Sequence, residues 1–118
     1  MSDNAAQVQE LALAADKLKN EGKTAEAIAK FEELLKLDDT HLRSHLTLAV
    51  LYHRELKYQE AIHHAVRACE LGPNDPYNFT VLSATYQRAW AHLRDQNLVR
   101  LAEDAMARAN MLQMQQRR

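Results

Sequence analysis

The sequence repeats itself at an interval of 34 residues. Alanine recurs at Ala27 and Ala61, and larger side chains recur at Leu18, Tyr52 and Tyr86. The same interval separates two further series: Leu11, His45 and Phe79, and then Ala14, Leu48 and Leu82. A period of this length is typical of stacked supersecondary units, each of which buries its apolar face only against its neighbours. The chain is therefore expected to be a short array of repeats.

The composition favours helices as the repeated units. The 118 residues include only 2 glycines and 2 prolines, and alanine, the best helix former, supplies much of the apolar content. Gly22 and Gly72 are expected to end helices in the left-handed conformation, and Asp75 before Pro76 has the pattern of an N-cap and a first helical residue. With the apolar periodicity, the sequence predicts six helices: about 3–21, 24–37, 40–56 and 58–71, a fifth that begins at Pro76, and a sixth that ends near Gln113.

The last two helices depart from the interval. A stripe of small residues at Ala102, Met106 and Ala109 comes seven residues later than a 34-residue step from Ala61 would place it. Seven residues are about two helical turns, so the third repeat is expected to have elongated helices that meet near residues 94–97. The alternative is one unbroken helix through both segments. The predicted fold class is all-α, with stacked antiparallel helical hairpins.

These repeats resemble the tetratricopeptide repeat. The second copy carries the pattern most fully, as His45-x2-Leu48-Ala49-x2-Tyr52, then Ala61-x3-Ala65-x2-Ala68, then Pro73. The first copy reads Leu11-x2-Ala14-Ala15-x2-Leu18 and then Ala27-x3-Phe31-x2-Leu34, and the third begins Phe79-x2-Leu82-Ser83-x2-Tyr86. The resemblance implies one domain over residues 1–118, a right-handed alpha-alpha superhelix of three repeats: about 8–41, about 42–75, and about 76–115 with a capping helix.

The resemblance also implies a function. In such proteins the first helix of each repeat lines a concave groove for an extended or helical peptide, so the chain is expected to be a non-catalytic protein-protein interaction module or adaptor. The groove residues implied here are Arg43, Leu46, Val50, His53, Arg54, Tyr77, Ala84 and Arg88. Because this surface carries more basic than acidic side chains, the expected ligand is a short acidic segment with apolar anchors. The other interpretation is an ordinary solvated helix face.

One known ligand class of the family is not implied. Family members that bind chaperone tails clamp the terminal carboxylate with lysine, asparagine and arginine side chains. The matching positions here hold Ala12, Asp16, Thr47, Tyr77 and Val81. The clamp is absent from these positions, so binding of a chaperone tail is not expected.

The histidines and acids form no recognisable catalytic or metal-binding motif. His41 and His45 have the spacing of two ligands on one helix face, but no third ligand lies at a matching distance in the sequence. His63 and His64 are expected on the surface, and Cys69 is expected to be a small buried thiol. The sequence has no nucleophile motif and no phosphate-binding glycine loop. We therefore predict no enzyme activity, no metal and no cofactor.

The charge is balanced overall but uneven along the chain. The formal net charge of −1 gives no general attraction to nucleic acid. Residues 1–40 carry five basic and nine acidic side chains, whereas residues 88–118 carry six arginines and three acids. This asymmetry, or an apolar surface at Met111 and Met114, supports an alternative function as a self-assembling scaffold, a homo-oligomer. Chance variation among solvated faces and a frayed C-terminus are the competing explanations.

The sequence also predicts a location. A single cysteine, Cys69, cannot form an internal disulfide, which fits a reducing compartment. No apolar run is long enough to cross a membrane, and the first residues lack the basic and apolar regions of a secretory signal. A cytoplasmic protein without membrane insertion is expected.

Overall fold

The computed structural model describes residues 2–117, with side chains from residue 4 onward. The described residues form six α-helices and no strand, which confirms the all-α prediction. None of these helices is long and apolar enough to cross a membrane. The helices are Ser2–Asn20 (α1), Thr24–Leu37 (α2), Leu42–Arg54 (α3), Tyr58–Leu71 (α4), Pro76–Leu93 (α5) and Gln96–Gln116 (α6).

Helix α3 is shorter than predicted, whereas α2 and α4 begin and end at the predicted residues. The prediction of 40–56 is too long by two residues at each end. At the start, an Asp38 carboxylate oxygen accepts hydrogen bonds from the Thr40 backbone N–H at 3.0 Å and from its hydroxyl at 2.6 Å. Such local bonds compete with a helical turn. At the other end, the backbone of Leu56 has the left-handed conformation, with φ of 61°. A residue in this conformation ends a helix.

The predicted break in the third hairpin is present, and the alternative of one unbroken helix is wrong. Arg94 is left-handed, with φ of 58°. The Asp95 side chain then caps α6 by accepting a hydrogen bond from the Asn97 backbone N–H at 3.0 Å. Helices α5 and α6 have 18 and 21 residues, against 13 and 14 for α3 and α4. The predicted elongation is therefore confirmed.

Helix α3 joins two hydrophobic clusters into one molecule. The helices pair as α1 with α2, α3 with α4, and α5 with α6, and α3 also contacts α2 and α5. Leu48 and Leu51 of α3 lie in the first cluster, with Phe31 of α2. Ala49 of the same helix lies in the second cluster, with Leu82 of α5. Successive faces of α3 therefore serve neighbouring hairpins, as expected for an array in which each unit is stabilised by the next.

The two glycines end helices for different reasons. Gly22 has φ of 78° and is left-handed as predicted. Gly72 is not left-handed, since its φ is −127°, so that prediction is wrong. A Cβ atom at Gly72 would lie 2.5 Å from the side-chain nitrogen of Asn78. That buried amide donates a hydrogen bond to the Gly72 carbonyl at 3.0 Å. Glycine is required here because Asn78 approaches the backbone closely.

We expect Gly72→Ala to lower the free energy of unfolding by about 1–3 kcal/mol. The added methyl group displaces the Asn78 amide, which then loses its hydrogen bond while it stays buried. Urea denaturation of Gly72→Ala, Asn78→Ala and the double variant would measure this. In the Asn78→Ala background, the cost of Gly72→Ala is expected to fall below half of its value in the wild type. Additive costs would contradict this explanation.

Candidate functional site

A surface depression of about 620 Å³ receives side chains from the first helix of all three hairpins. We call it the inner groove. Its lining residues are Lys19 and Asn20 of α1, Arg43, Leu46, Thr47, Val50, Leu51 and Arg54 of α3, and Tyr77 of α5. Helix α3 forms the floor because its exposed side lies between α1 and α5.

The structure brings together five of the eight residues implied by the resemblance. Arg43, Leu46, Val50 and Arg54 fall on one side of α3 because they are three or four residues apart, and Tyr77 faces them from the first turn of α5. Two of these side chains are unusually open for apolar groups, since Val50 is 38% exposed and Tyr77 is 61% exposed. An exposed aromatic ring beside aliphatic side chains forms an apolar surface that is favourable to bury against another molecule.

The other three residues lie outside the inner groove. His53 packs against the ring of Tyr58, with ring centroids 5.7 Å apart. Burial lowers the pKa of His53, and the charge of Arg88 lowers it further. Ala84 is partly buried and Arg88 is exposed, both further along α5, and neither lines the groove. Of the residues predicted on α5, only Tyr77 therefore lines the groove.

Some residues that line the groove are not among the eight implied by the resemblance. Thr47 and Leu51 line it from α3, and Asn20 lines it from the end of α1. The Thr47 hydroxyl donates a hydrogen bond to the Arg43 carbonyl at 2.9 Å. Thr47 lies four residues after Arg43, and Leu51 lies four residues after Thr47, so helical spacing is the signal that could have identified them.

Arg43 and Arg54 have different electrostatic surroundings. An Arg43 guanidinium nitrogen lies 3.0 Å from an Asp16 carboxylate oxygen, an ion pair that links α3 to α1. Neither Lys19 nor Arg54 takes part in any ion pair among the side chains of residues 4–117. The positive charge of the groove that is not already paired with a carboxylate therefore comes from Arg54 and Lys19, while Arg43 is paired across to the first hairpin.

The prediction that His64 lies on the surface is wrong. Its side chain is buried, with 6% of the residue exposed, whereas His63 is exposed, as predicted. The two neighbours point about 100° apart on the helix, so one of them can face inward. The signal was in the sequence: His64 is three residues after Ala61 and four before Ala68, which places it on the small-residue face of α4. That face packs against α2 and α3.

Two further side chains, Cys69 and His41, are of types that can act as nucleophiles or metal ligands. Burial raises the pKa of Cys69 to about 11, so its thiol stays protonated at neutral pH and is a poor nucleophile. A His41 ring nitrogen, Nδ1, lies 2.7 Å from the Ser44 hydroxyl oxygen. Among the side chains that the structure describes, residues 4–117, no group of three or more His, Cys, Asp or Glu is placed to hold a metal ion.

The third hairpin presents a separate apolar surface. A depression of about 780 Å³ lies between α5 and α6, and Trp90, Val99 and Met106 contribute to its lining. Further along α6, Met111 and Met114 are 45% and 66% exposed. Methionine side chains of this kind adapt readily to different contact partners.

Solved structures with the same arrangement of helices are known, although their sequences are distant. No family model matches the chain, and no curated protein matches its sequence. The CopN–Scc3 complex contains a chain that is 18% identical, with a TM-score of 0.77, over 89% of this chain and 58% of that one. The second TPR of Spaghetti (RPAP3), bound to the HSP90 peptide SRMEEVD, is 16% identical, with a TM-score of 0.77, over 95% of this chain and 99% of that one.

A third structure extends the comparison. The type III secretion translocator chaperone SycD of Yersinia enterocolitica is 19% identical, with a TM-score of 0.75, over 92% of this chain and 75% of that one. The chain spans less than two thirds of the matched protein in the CopN–Scc3 complex, but nearly all of the Spaghetti repeat domain. At these identities the similarity establishes the fold. The chain therefore has the fold of a tetratricopeptide-repeat domain.

Proposed function

We propose that this chain is a non-catalytic protein-interaction module that binds a short segment of another protein in the inner groove. The observation that carries the proposal is the groove itself, where one depression combines an exposed aromatic ring, an aliphatic floor and basic side chains from separate hairpins. A ligand that spans these helices would contact several anchors at once. Binding sites on tetratricopeptide-like arrays are extended surfaces of this kind.

The chemistry of the groove favours an acidic segment with apolar anchors. Val50 and Tyr77 would contact apolar side chains, while Arg54 would bind a carboxylate through its planar guanidinium. Lys19 adds a second positive charge at the α1 side of the groove. A carboxylate of the ligand would neutralise Arg54, which forms no ion pair with the side chains described from residue 4 to residue 117. The segment could be extended or a single amphipathic helix, since both present anchors at intervals of a few residues.

Two proteins of this fold support peptide binding as a class of function. One is the Spaghetti repeat with its HSP90 peptide, and the other is PcrH in complex with the chaperone binding region of PopD. The ligand of this chain is expected to differ from a chaperone tail. Its Ala12 is buried, and its Asp16 is negative and paired with Arg43, so neither position can clamp a terminal carboxylate. A cytoplasmic location stays a prediction from the sequence.

Selection from a random-peptide library displayed on phage would test the proposal, because such a selection does not require an identified partner. The wild-type protein is expected to enrich peptides that carry acidic residues beside apolar ones. These peptides should lose binding to Arg54→Glu and keep binding to Arg100→Glu, a matched control on the exposed surface of α6, where Arg100 is 68% exposed at its side chain. Failure to enrich any peptide, or equal binding to both variants, would contradict the proposal.

A second candidate function, self-assembly, is favoured by the exposed apolar side chains of the third hairpin. Met111 and Met114 lie on the outer side of α6 and are 45% and 66% exposed. Terminal repeats of an array normally present a polar outer face. An association through these side chains, or through the acidic first and basic last hairpins, would make the chain a scaffold unit.

The two forms of assembly differ in their response to salt. Association through the charged hairpins should weaken as salt rises, because exposed charges are screened beyond about 8 Å at physiological ionic strength. Association through the methionines should persist in salt and be lost in Met111→Glu, which places a charge in the contact. Light scattering across salt and protein concentration distinguishes the two forms. A monomer under every condition would exclude both.

A further inference from the structure

A network of polar side chains joins α2, α3 and α4 on the side of α3 opposite the inner groove. His45 of α3 and His64 of α4 are both buried, and their Nδ1 atoms lie 2.9 Å apart. The ring of His64 also stacks on Tyr52, with ring centroids 5.5 Å apart. The other ring nitrogen of His64, Nε2, lies near the carboxylate of Glu32 on α2. Neither the groove nor the proposed function makes use of these residues.

The contacts of the four ring nitrogens fix where hydrogen atoms must lie. His45 Nε2 is 2.8 Å from the Asp39 carbonyl oxygen, so this nitrogen carries a hydrogen and donates it. One hydrogen lies between the two Nδ1 atoms, since two could not fit at 2.9 Å. His64 Nε2 is 3.5 Å from Glu32 Oε2, an oxygen that also accepts a hydrogen bond from the Tyr52 hydroxyl. An ionised carboxylate only accepts, so His64 Nε2 must donate for this contact to be attractive.

For all of these contacts to be attractive at once, the two imidazole rings must together carry three N–H groups. Two neutral imidazoles supply only two. The third hydrogen gives the pair one positive charge, which the negative charge of Glu32 balances. A fourth would place two N–H groups against each other between the rings. We propose that His45 and His64 together form a binding site for a single proton, with Glu32 as its counter-ion.

The surroundings determine when this site fills. Burial lowers the pKa of both histidines from the ordinary value of 6.5, that of His64 to about 4. Glu32 favours uptake of the proton, and so does Asp39. His63 and Arg67 of α4 oppose it. The other charged or titratable neighbours on these elements are Asp38, Glu60 and Tyr52. We therefore expect the pair to be neutral at pH 7 and to take up its proton only below the ordinary value of 6.5.

Proton uptake has a consequence for stability. In the unfolded chain the histidines titrate at the ordinary value, so between pH 6.5 and about 4 the unfolded state binds more protons than the folded state. The contribution of the neutral pair to stability is full above pH 6.5 and declines as the pH falls toward 4. The charged pair, once formed, attracts Glu32 and so links the second helix of the first hairpin to the second hairpin.

Nitrogen-15 NMR of histidine-labelled wild-type protein would test the proton site directly. At neutral pH, His45 is expected to carry its hydrogen on Nε2 and His64 on Nδ1. On acidification, both residues should report one shared transition, below pH 6.5, in which the pair gains one proton in total. His63, more accessible on the same helix, is the internal reference. Independent transitions that add a proton to each ring, or a midpoint at or above pH 6.5, would overturn the proposal.

A pair of variants tests the role of Glu32. Glu32→Gln removes the counter-ion and is expected to lower the midpoint of the shared transition by about one pH unit, because an opposite charge within a few ångströms stabilises the protonated form. Glu33→Gln is the matched control, since Glu33 is exposed and lies 3.5 Å from Lys30 instead; it should leave the midpoint unchanged. Equal shifts in both variants, or no shift in either, would show that Glu32 is not the counter-ion.

Discussion

Leu48→Ala is expected to lower the free energy of unfolding by about 2–5 kcal/mol, the range found when a buried leucine is cut back to alanine. Leu48 is fully buried in the first hydrophobic cluster, together with Ala15 of α1 and Phe31 of α2. The same helix supplies Ala49 to the second cluster. A cavity at Leu48 therefore weakens the helix on which both neighbouring hairpins pack. Chemical denaturation followed by circular dichroism would measure the loss.

Leu13→Ala is the matched control for this experiment. Leu13 is a leucine in a helix of the same molecule, but it is 64% exposed. Its truncation is expected to change the free energy of unfolding by less than about 0.5 kcal/mol, as for surface substitutions in general. Similar costs for the two variants would show that Leu48 does not occupy a core position, and the 34-residue alignment of the repeats would lose its basis.

Much of the fold could be predicted from the sequence because equivalent residues recur in each repeat and form equivalent helices. The interval between Ala27 and Ala61 aligns the second helices of the first two hairpins, and α2 and α4 begin and end at the predicted residues. The break in the third hairpin was also predictable, since Asp95 is a good N-cap and the displaced stripe of small residues required a longer pair of helices.

The errors arise where tertiary contacts override local pattern. The sequence could not show that Asn78 approaches Gly72, because the two residues meet only through the packing of α4 and α5. A histidine is usually exposed or half-buried, so the inward orientation of His64 was missed, although helical spacing allowed it. Its burial depends on partners, His45 and Glu32, that lie on two other helices.

The candidate site was predictable in part for the same reason. Helical spacing collects Arg43, Leu46, Val50 and Arg54 on one side of α3, but it does not decide which residues of α5 face them. Among the described residues of α5, only Tyr77 lines the groove. The pairing of Arg43 with Asp16 depends on the distance between α1 and α3, which no sequence pattern specifies.

Truncation of a groove anchor is expected to have the largest effect on binding. Tyr77→Ala removes the exposed aromatic ring of the inner groove, and Arg54→Ala removes a guanidinium that can bind a carboxylate with two hydrogen bonds. Central aromatic and arginine residues carry most of the binding energy in protein interfaces. Each change should therefore weaken binding of a selected acidic peptide by about 1–3 kcal/mol, or roughly 5- to 150-fold. Arg88→Ala, outside the groove, should cost less.

Calorimetric titration of one selected peptide into four proteins tests the central claim most directly. The proteins are the wild type, Tyr77→Ala, Arg54→Ala and an outer-face variant that combines His63→Ala with Arg67→Ala. Both changed residues of the last variant lie on α4, away from the groove, and His64 is left intact because it is buried. We expect the two groove variants to lose affinity and the outer-face variant to keep it. Loss of binding in the outer-face variant, with wild-type affinity in both groove variants, would show that the peptide does not bind in the inner groove.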